Sequence, residues 1–442
     1  MIREISRRLG KRSLYWFGIR GDDARSLADI PQFAGSFSII NRYSSQPLAY
    51  MQAYEDYEDY KVRDDLDTWD IDNHLTDPVT KQFRNLIMGA LGREDSAVTT
   101  YRPSQFLSAI TFARQDRCQY LGMYAEQQHA FEHKPWIETA VRASGLPMVN
   151  WHYIADEEQL QTLQLLSRGP VVLRPSRGSG GVGMTLVDAP QPVDSLWPSS
   201  DEFFVSVSSY LANCLPMNVG AVVWDDGVTI HHPSVQLIGL QCSTTRPFGY
   251  CGNDFGLVRE LDLKVIDQIE AQTIQVGAWL QKQGYRGAFG LDFLLDHGTV
   301  RFTEVNPRFQ GSTRTSSRLD ALADRPCLLL DHVAALLHLP APAHPRVRDL
   351  LTSDDSTSQI VLHNMSNSPV TVPTEGLTAV IDRLMDTAHA EIVAPPGVAI
   401  QPNATVAVFR FSHSITATGY EVDSRVADAM GLVAAATKGV ST

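Results

Sequence analysis

The chain has 442 residues, of which 43% are hydrophobic and 20% charged, a globular composition with room for roughly two to four domains. Its 50 acidic and 37 basic residues give a net charge of −13, which argues against a nucleic-acid coat protein or a binder of anionic membranes. The N-terminus lacks an apolar signal segment, no apolar run reaches the roughly 18 residues of a membrane span, and the five cysteines form no CxxC pair. We therefore expect a cytoplasmic, reduced protein without nucleic-acid or membrane partners.

The first 115 residues combine predicted strands at 14–19 and 35–40 with polar segments. The acidic, tyrosine-rich stretch 51–72 is either a solvated segment or a contact surface for a cationic substrate group. Residues 116–168 are predicted to be helical with one break. Their predicted elements are a helix that begins at Pro135 and stops at 145–147, a short strand, and a second helix at 156–166.

From residue 170 the pattern indicates strands and hairpins, with one long amphipathic helix at 261–283 and another helix at 324–337. The predicted strands are 171–174, 184–187, 203–211, 218–224, 228–232, 290–295 and 299–305. Residues 340–358 have the Pro, Ser and Asp content of a linker. Residues 359–442 then predict a small terminal domain.

The sequence SRGSGGVG at 176–183 places Gly178, Gly180 and Gly183 in the pattern GxGxxG. A dinucleotide-binding loop of this pattern leads into a helix, but the MTLVD that follows is typical of a strand, and no Walker GK[ST] is present. The pattern instead predicts a hairpin whose backbone N–H groups close over phosphates, because glycine permits close approach. The tripeptide DFG at 254–256 does not indicate a protein kinase, since no HRD accompanies it.

The stretch GAFGLDFLLDHGTVRFTEVNPR at 287–308 predicts a second hairpin. If a three-residue loop, 296–298, joins its strands, Asp292 and Glu304 become diagonal neighbours on one face, and Asn306 continues that parity. Two carboxylates and an amide oxygen are hard ligands that suit Mg²⁺ carrying substrate phosphates. The stretch therefore predicts a magnesium site.

A lysine near a helix start, the glycine loop and D…ExN with a trailing arginine, in this order, resemble the ATP-grasp superfamily over about residues 116–340. The resemblance implies an α/β (α+β) protein with an ATP-grasp fold. The implied parts are an N-terminal α/β pre-grasp domain at 1–115, the ATP-grasp domain at 116–340 with its flap at about 170–190, and a small C-terminal α+β domain at 359–442.

The resemblance also assigns roles to individual residues. Those assigned to ATP are Lys134, Arg174, Arg177, Gly178, Ser179, Gly180, Gly181, Gly183, Ser206 and Val207. Asp292, Glu304 and Asn306 are assigned to one or two Mg²⁺ ions, which Mn²⁺ could replace, and Arg308 is assigned to stabilising the acyl-phosphate or tetrahedral intermediate. The chain departs from the family in two places, because Arg174 replaces a lysine and the strand FFVSVSSYL has serines where the hinge usually has Glu. Only seven of the basic residues are lysines, and of these Lys134 alone falls at a nucleotide position of the family.

The activity that the resemblance implies is ATP-dependent carboxylate–amine ligation through an acyl phosphate, with release of ADP and phosphate. The length, the layout and Gly311-Ser312-Thr313 are most similar to the peptide ligases of peptide-antibiotic pathways, of the pheganomycin-ligase kind. This similarity implies natural-product biosynthesis with amino-acid or peptide substrates, and Ser312, Thr313 and Arg314 are candidates to hold a substrate carboxylate. Homodimers are common in the superfamily, and the sequence leaves the oligomeric state open.

Two alternatives remain open. One is a carboxylase of the same superfamily, although biotin carboxylases continue their ExNxRxQ with Val-Glu-His where this chain has Gly-Ser-Thr at 311–313. The other is a non-catalytic ATP-binding protein, which the two departures from the family favour. The pairs His129/His133 and His231/His232 are interpreted as structural, since the first lacks the Glu of HExxH and the second ends a strand.

Overall fold

The apolar runs near the N-terminus form a parallel sheet in the computed structural model. The structure describes residues 1–40, 51–53, 76–155, 158, 161, 163, 169–188, 204–352, 356–372, 388–392 and 398–439. The sheet has the order β3-β2-β1-β4-β5, with β1 Ser13–Arg20, β2 Phe33–Ile40, β3 Met51–Ala53, β4 Ser96–Thr100 and β5 Cys118–Leu121. The helices of this region are α1 Ile2–Leu9, α2 Pro78–Arg93, α3 Gln105–Ala113 and the 3-10 helix Gly21–Leu27. Apart from 51–53, 158, 161 and 163, the acidic stretch 51–72 and the helix predicted at 156–166 lie outside the described residues.

Residues 116–124 are not helical, so this part of the prediction is wrong. Strand β5 pairs in parallel with β4, with Val98 opposite Tyr120, and extends the first sheet beyond residue 115. A strand of four residues is too short to show a period of two, which is why the sequence pattern missed it. The helices that follow are α4 Ala125–Phe131 and α5 Lys134–Ala143.

The glycine loop, residues 176–183, joins two strands of a small antiparallel sheet, as the sequence predicts. The sheet has the order β6-β9-β7-β8, with β6 His152–Ile154, β7 Val171–Arg174, β8 Thr185–Val187 and β9 Val205–Ser209. Val171 pairs with Val187 and Leu173 with Thr185, so β7 and β8 form the two arms of the predicted hairpin.

A larger sheet runs through the second half of the chain. Within the described residues its order is β15-β14-β10-β12-β13-β16-β19-β18, and β11 pairs with β10. Its strands are β10 Leu215–Val223, β11 Val228–Ile230, β12 Ser234–Ile238, β13 Tyr250–Asp254, β14 Gly287–Asp296, β15 Thr299–Asn306, β16 Ser358–His363, β18 Ala388–Ile392 and β19 Thr405–Phe411. A short separate ladder pairs β17 Val370–Thr371 with β20 Lys438–Gly439.

The helices in this half are α6 Leu263–Lys282, α7 Thr313–Leu322, α8 Leu328–Leu336, α9 Val347–Leu350, α10 Ser424–Ala436 and the 3-10 helix Leu257–Glu260. The long helix predicted at 261–283 is confirmed as α6, which packs against β10 and β15. No helix in the described part of the chain is long and apolar enough to cross a membrane.

In the C-terminal segment, β16, β19 and β18 continue the larger sheet beyond β13. A small C-terminal domain stays a prediction. The contact with β13 depends on Gly252, which has φ +137° and pairs with Ile360. A Cβ at this position would lie 2.0 Å from the carbonyl oxygen of Gln359. Part of the predicted linker 340–358 is packed against the protein, since α9 within it buries Val347 and Leu350.

We predict that Gly252→Ala destabilises the protein by about 2–4 kcal/mol, because a side chain there combines backbone strain with a clash against β16. The free energy of unfolding in urea measures the loss. Gly284→Ala is the matched control, since Gly284 has φ +82° but no atom within 4 Å of its would-be Cβ, so only strain of about 1 kcal/mol is expected. Equal losses in the two variants would contradict the close approach of β13 and β16.

Candidate functional site

The carboxylate hairpin, strands β14 and β15, has a shorter turn than the sequence predicted. Asp296 pairs with Thr299, so two residues rather than three form the loop. His297 and Gly298 have φ values of +46° and +80°, as a type I′ turn requires. The pairing inferred from a three-residue loop is therefore wrong.

A β-bulge restores the arrangement that the two carboxylates need. Phe293 pairs with Phe302, but Asp292 pairs with Glu304, so Thr303 is the extra residue. Its hydroxyl donates to the carbonyl oxygen of Asp292 at 2.8 Å. Without the bulge Glu304 would face away from Asp292, since a shift of one residue moves a side chain to the other face. The shared face is confirmed, with the carboxylates as a direct cross-strand pair rather than diagonal neighbours.

The two carboxylates differ in pKa. Burial, together with the neighbouring Glu304, raises the pKa of Asp292 well above its usual value. Burial alone would raise the pKa of Glu304 too, but Lys134 and Arg174 outweigh it and lower that pKa to about 2. A divalent cation between the two carboxylates would relieve the repulsion that contributes to the raised pKa of Asp292.

Side-chain amides surround Asp292. The amide nitrogen of Asn306 donates to Asp292 Oδ2 at 2.9 Å, and those of Gln236 and Gln310 each donate to Asp292 Oδ1 at 3.0 Å. Sequence reasoning did not select the two glutamines. A sequence pattern could have identified Gln310, because it continues the alternation of Glu304, Asn306 and Arg308. Gln236 lies at the site only because of the order of the strands in the sheet.

Arg308 lies beside the predicted metal ligands. Its NH2 group donates to Asn306 Oδ1 at 3.1 Å, and its Nε is 3.5 Å from Glu132 Oε1. Glu132, at the end of α4, also accepts two hydrogen bonds of 2.9 Å from Arg102. Glu132 and Arg102 are further residues of the site that the sequence did not reveal, and they orient the Arg308 guanidinium.

Lys134 connects the carboxylate hairpin to the glycine loop. Its Nζ lies 3.0 Å from Glu304 Oε2 and donates to the carbonyl oxygen of Gly178 at 2.8 Å. Its backbone N–H donates to the carbonyl oxygen of Ser176 at 3.0 Å. The helix α5 begins at Lys134 itself, one residue before the predicted start at Pro135. The side chain therefore holds the loop over the carboxylates.

The side chain of Arg174 is almost completely buried. It is 3% exposed and forms an ion pair with Glu138 of α5, which is 1% exposed. Its guanidinium carbon lies 3.7 Å from the ring centre of Trp151. Burial lowers the pKa of Arg174 to about 9, against the opposing effect of Glu304. Glu138 was not predicted, although it follows Lys134 by one helical turn and therefore shares its face.

The glycine loop needs its glycines. Gly178, Gly180, Gly181 and Gly183 have φ values of +146°, +61°, +77° and +75°. A Cβ on Gly181 would lie 1.9 Å from the carbonyl oxygen of Phe248, so the loop lies directly against that segment. Ser179 is half-buried at the tip.

Three further residues are assigned to ATP, one in the loop and two in the neighbouring strand β9. The exposed Arg177 donates from its NH2 group to the carbonyl oxygen of His129 at 3.3 Å, which anchors the base of the loop on α4. Ser206 and Val207 are fully buried in β9, where Ser206 pairs with Arg174. The Ser206 hydroxyl has no hydrogen-bond partner among the described residues. Contacts of these residues with ATP stay predictions.

A cavity of about 1470 Å³ adjoins the carboxylate hairpin. The hydroxyl of Ser312 accepts from Asn218 at 2.9 Å and that of Thr313 accepts from the Gln310 N–H at 2.9 Å, while Arg314 lines the cavity at the start of α7. Arginines from all parts of the chain line the cavity: Arg3, Arg25, Arg314, Arg318, Arg325 and Arg410. The carboxylates on its wall are Asp23, Asp29 and Asp324.

Comparison with known proteins agrees with this geometry. Residues 147–312 match the ATP-grasp domain family. The formate-dependent phosphoribosylglycinamide formyltransferase of Synechococcus sp. (strain WH7803) is 24% identical over 311 residues, covering 67% of this chain and 68% of that protein. The protein of that name from Prochlorococcus marinus (strain MIT 9313) is 22% identical over 73% of this chain and 74% of its own length.

Solved structures show the same fold at low sequence identity. N5-carboxyaminoimidazole synthase from Aspergillus clavatus, in complex with ADP and 5-aminoimidazole ribonucleotide, has a TM-score of 0.59 at 12% identity and covers 96% of this chain and 99% of that chain. Biotin carboxylase from Campylobacter jejuni has a TM-score of 0.57 at 14% identity and covers 94% and 86% of the two chains. The fold is the ATP-grasp fold, as the resemblance implies.

We predict that Lys134→Met weakens ATP binding at least about tenfold, because the Gly178 carbonyl of the loop loses the hydrogen bond from Lys134 and Glu304 loses its counter-charge. The dissociation constant of ATP in the presence of Mg²⁺ measures this. Lys264→Met is the matched control, because this substitution removes the same charge at an exposed position on α6. Equal dissociation constants in both variants would remove Lys134 from the nucleotide site.

Proposed function

Because residues 147–312 match the ATP-grasp domain family, we propose that the chain is an ATP-dependent carboxylate–amine ligase whose amine substrate carries an anionic group. The observation that carries the proposal is the continuity of the two halves of the site. Gln310 donates to Asp292 in the carboxylate hairpin and also lines the arginine-rich cavity. A phosphoryl donor at the hairpin and an acceptor in the cavity would therefore meet beside Arg308.

The residues at the hairpin fit a divalent cation. Asp292 and Glu304 offer carboxylate oxygens on one face and Asn306 adds an amide oxygen, and burial together with Glu304 raises the pKa of Asp292. When bound, Mg²⁺ would neutralise the charge that develops on the transferred phosphoryl group. The ammonium group of Lys134 and the backbone N–H groups of the glycine loop would hold the nucleotide phosphates.

The proposed ligation has two steps. The substrate carboxylate attacks the γ-phosphorus of ATP, the bond to ADP breaks, and an acyl phosphate forms. The amine then attacks the acyl carbon, phosphate leaves, and the nitrogen loses a proton. The guanidinium of Arg308, held by Asn306 and Glu132, would donate to the oxyanion of the tetrahedral intermediate.

The cavity favours an acceptor with a phosphate or carboxylate group. Six arginines against three carboxylates give its wall an excess of positive charge in a chain whose net charge is −13. The guanidinium fork binds phosphate and carboxylate oxygens in pairs, so several such groups around one cavity select an anion. The relatives are named for formate and phosphoribosylglycinamide, which supports a small acid and a phosphorylated amine as the first pair to test.

The narrower interpretation, a peptide ligase of the pheganomycin-ligase kind in natural-product biosynthesis, has no support among these relatives. Amino acids and peptides therefore come second as candidate substrates.

A carboxylase is the second candidate function. Residues 304–310 read EVNPRFQ, which satisfies the ExNxRxQ pattern, and biotin carboxylases are among the similar structures. In this case bicarbonate would take the place of the organic acid.

We predict that ADP release requires Mg²⁺, an acid and an amine together, with a mass-shifted amide as product. Formate, bicarbonate and single amino acids serve as the acids, and phosphoribosylglycinamide and amino acids as the amines. Coupled detection of ADP and mass spectrometry read the outcome. ADP release that depends on bicarbonate would favour the carboxylase. If no pair of acid and amine leads to ADP release, the ligase proposal is contradicted.

Glu304→Ala should lower the turnover about 100-fold or more, because it removes an oxygen ligand and the partner of Lys134. Glu260→Ala is the matched control, since Glu260 is exposed in the 3-10 helix after β13. Circular dichroism of both variants shows whether the fold is intact. Full turnover in folded Glu304→Ala protein would refute the role of the hairpin.

A further inference from the structure

A second group of potential metal ligands lies outside the carboxylate hairpin. The His231 cluster consists of His231, Asp331 and His344, and one ligand atom of each lies within 4.8 Å of the other two. The three come from separate parts of the chain: the end of β11, helix α8, and the segment 340–346 between α8 and α9. His231 and Asp331 are fully buried, and His344 is half-buried.

His231 is oriented in the way that metal-binding histidines are oriented. Its Nδ1 lies 2.7 Å from Asp320 Oδ2, and its Nε2 lies 3.4 Å from Asp331 Oδ2. A carboxylate on Nδ1 is the outer partner typical of a metal-binding histidine, which then presents Nε2 to the ion. His231 Nε2 is buried and has no hydrogen-bond partner among the described residues.

Asp331 is held in place by a chain of hydrogen bonds. The hydroxyl of Thr229 donates to Asp331 Oδ2 at 3.1 Å and accepts from the indole N–H of Trp224 at 2.9 Å. Asp331 Oδ1 is buried without a hydrogen-bond partner among the described residues. A carboxylate oxygen left without a partner in the interior is costly, so its presence beside an unpartnered imidazole nitrogen points to a ligand.

His344 completes the cluster. Its Nδ1 lies 3.3 Å from the carbonyl oxygen of Pro345, which leaves Nε2 as its ligand atom. Its ring centre is 5.3 Å from that of His231.

We propose that His231, Asp331 and His344 bind a divalent transition-metal ion, with Zn²⁺ as the closest match. Two imidazoles and one carboxylate are the ligand set of such ions and not of Mg²⁺. Ligands about 2.0–2.1 Å from a tetrahedral ion lie roughly 3.4 Å apart, which is the separation of His231 and Asp331. The ligand atom of His344 lies within 4.8 Å of those of His231 and Asp331, so His344 would supply the third ligand.

The proposed role is structural. His344 belongs to the segment that leads from α8 to α9, whereas His231 and Asp331 belong to the sheet and to the helix packed on it. An ion shared by the three would fasten this segment to the sheet. The competing occupant is a proton on His231 Nε2 between Asp320 and Asp331, which needs no metal.

The test is a titration of the chelator-stripped full chain with Zn²⁺ in excess Mg²⁺, which keeps the carboxylate hairpin occupied. We expect one Zn²⁺ per chain, measured by competition with a fluorescent zinc chelator. His344→Ala should weaken binding at least about 100-fold, and Asp320→Asn about 10- to 100-fold through the orientation of His231. His413→Ala is the matched control, because His413 is exposed and lies outside the cluster.

Cobalt provides a second readout that does not depend on activity. Co²⁺ bound to the His231 cluster should show the visible absorption of a four- or five-coordinate site, which His344→Ala abolishes and His413→Ala keeps. Failure of the chain to bind Zn²⁺, displacement of the Zn²⁺ by Mg²⁺, or equal affinity in the His344→Ala and His413→Ala variants would each overturn the proposal. The last two outcomes would place the ion elsewhere, and the first would leave the proton as the occupant.

Discussion

Repulsion between two facing carboxylates governs the arrangement of the candidate site. Asp292 and Glu304 form a direct cross-strand pair, and burial strengthens every charge interaction between them. The surrounding residues offset this repulsion on both carboxylates. Lys134 neutralises Glu304, while the amides of Gln236 and Gln310 donate to Asp292. The helix α5, the strand β12 and the segment after β15 are positioned around this one pair.

The counter-charge on Glu304 also determines where the glycine loop lies. Lys134 donates to the Gly178 carbonyl as well as pairing with Glu304, so the charge at the hairpin and the position of the loop are coupled through one side chain. Arg174, which stands where the resemblance implies a lysine, is accommodated by residues close to it. Glu138 on α5 pairs with the larger guanidinium, and Trp151 covers it, so the positive charge is kept while most of its surface is withdrawn from solvent.

The continuous large sheet brings the arginine-lined cavity to the hairpin. Because β16 pairs with β13 and β19 pairs with β16, Arg410 on β19 lines the same cavity as Arg314 on α7 and Arg25 near the first sheet. Three distant parts of the chain thus supply positive charge to one space. The acidic net charge of the chain excludes a broad polyanion surface, and the positive charge is concentrated where a small anion could bind.

The sequence by itself determined the features that depend on residue type and local order. These are the shared face of Asp292, Glu304 and Asn306, the glycine-lined hairpin, the long helix α6 and the ATP-grasp fold. Each rests on a short motif or a hydrophobic period, which the backbone expresses without reference to distant segments.

Only the tertiary structure decided which distant residues meet. The bulge at Thr303 turns Glu304 toward Asp292, the order of the sheet brings Gln236 to the site, and the C-terminal strands extend the larger sheet. The His231 cluster has the same origin, since His231 and His344 are 113 positions apart along the chain. Such contacts depend on strand register and helix packing between remote segments, and no local pattern in the sequence specifies them.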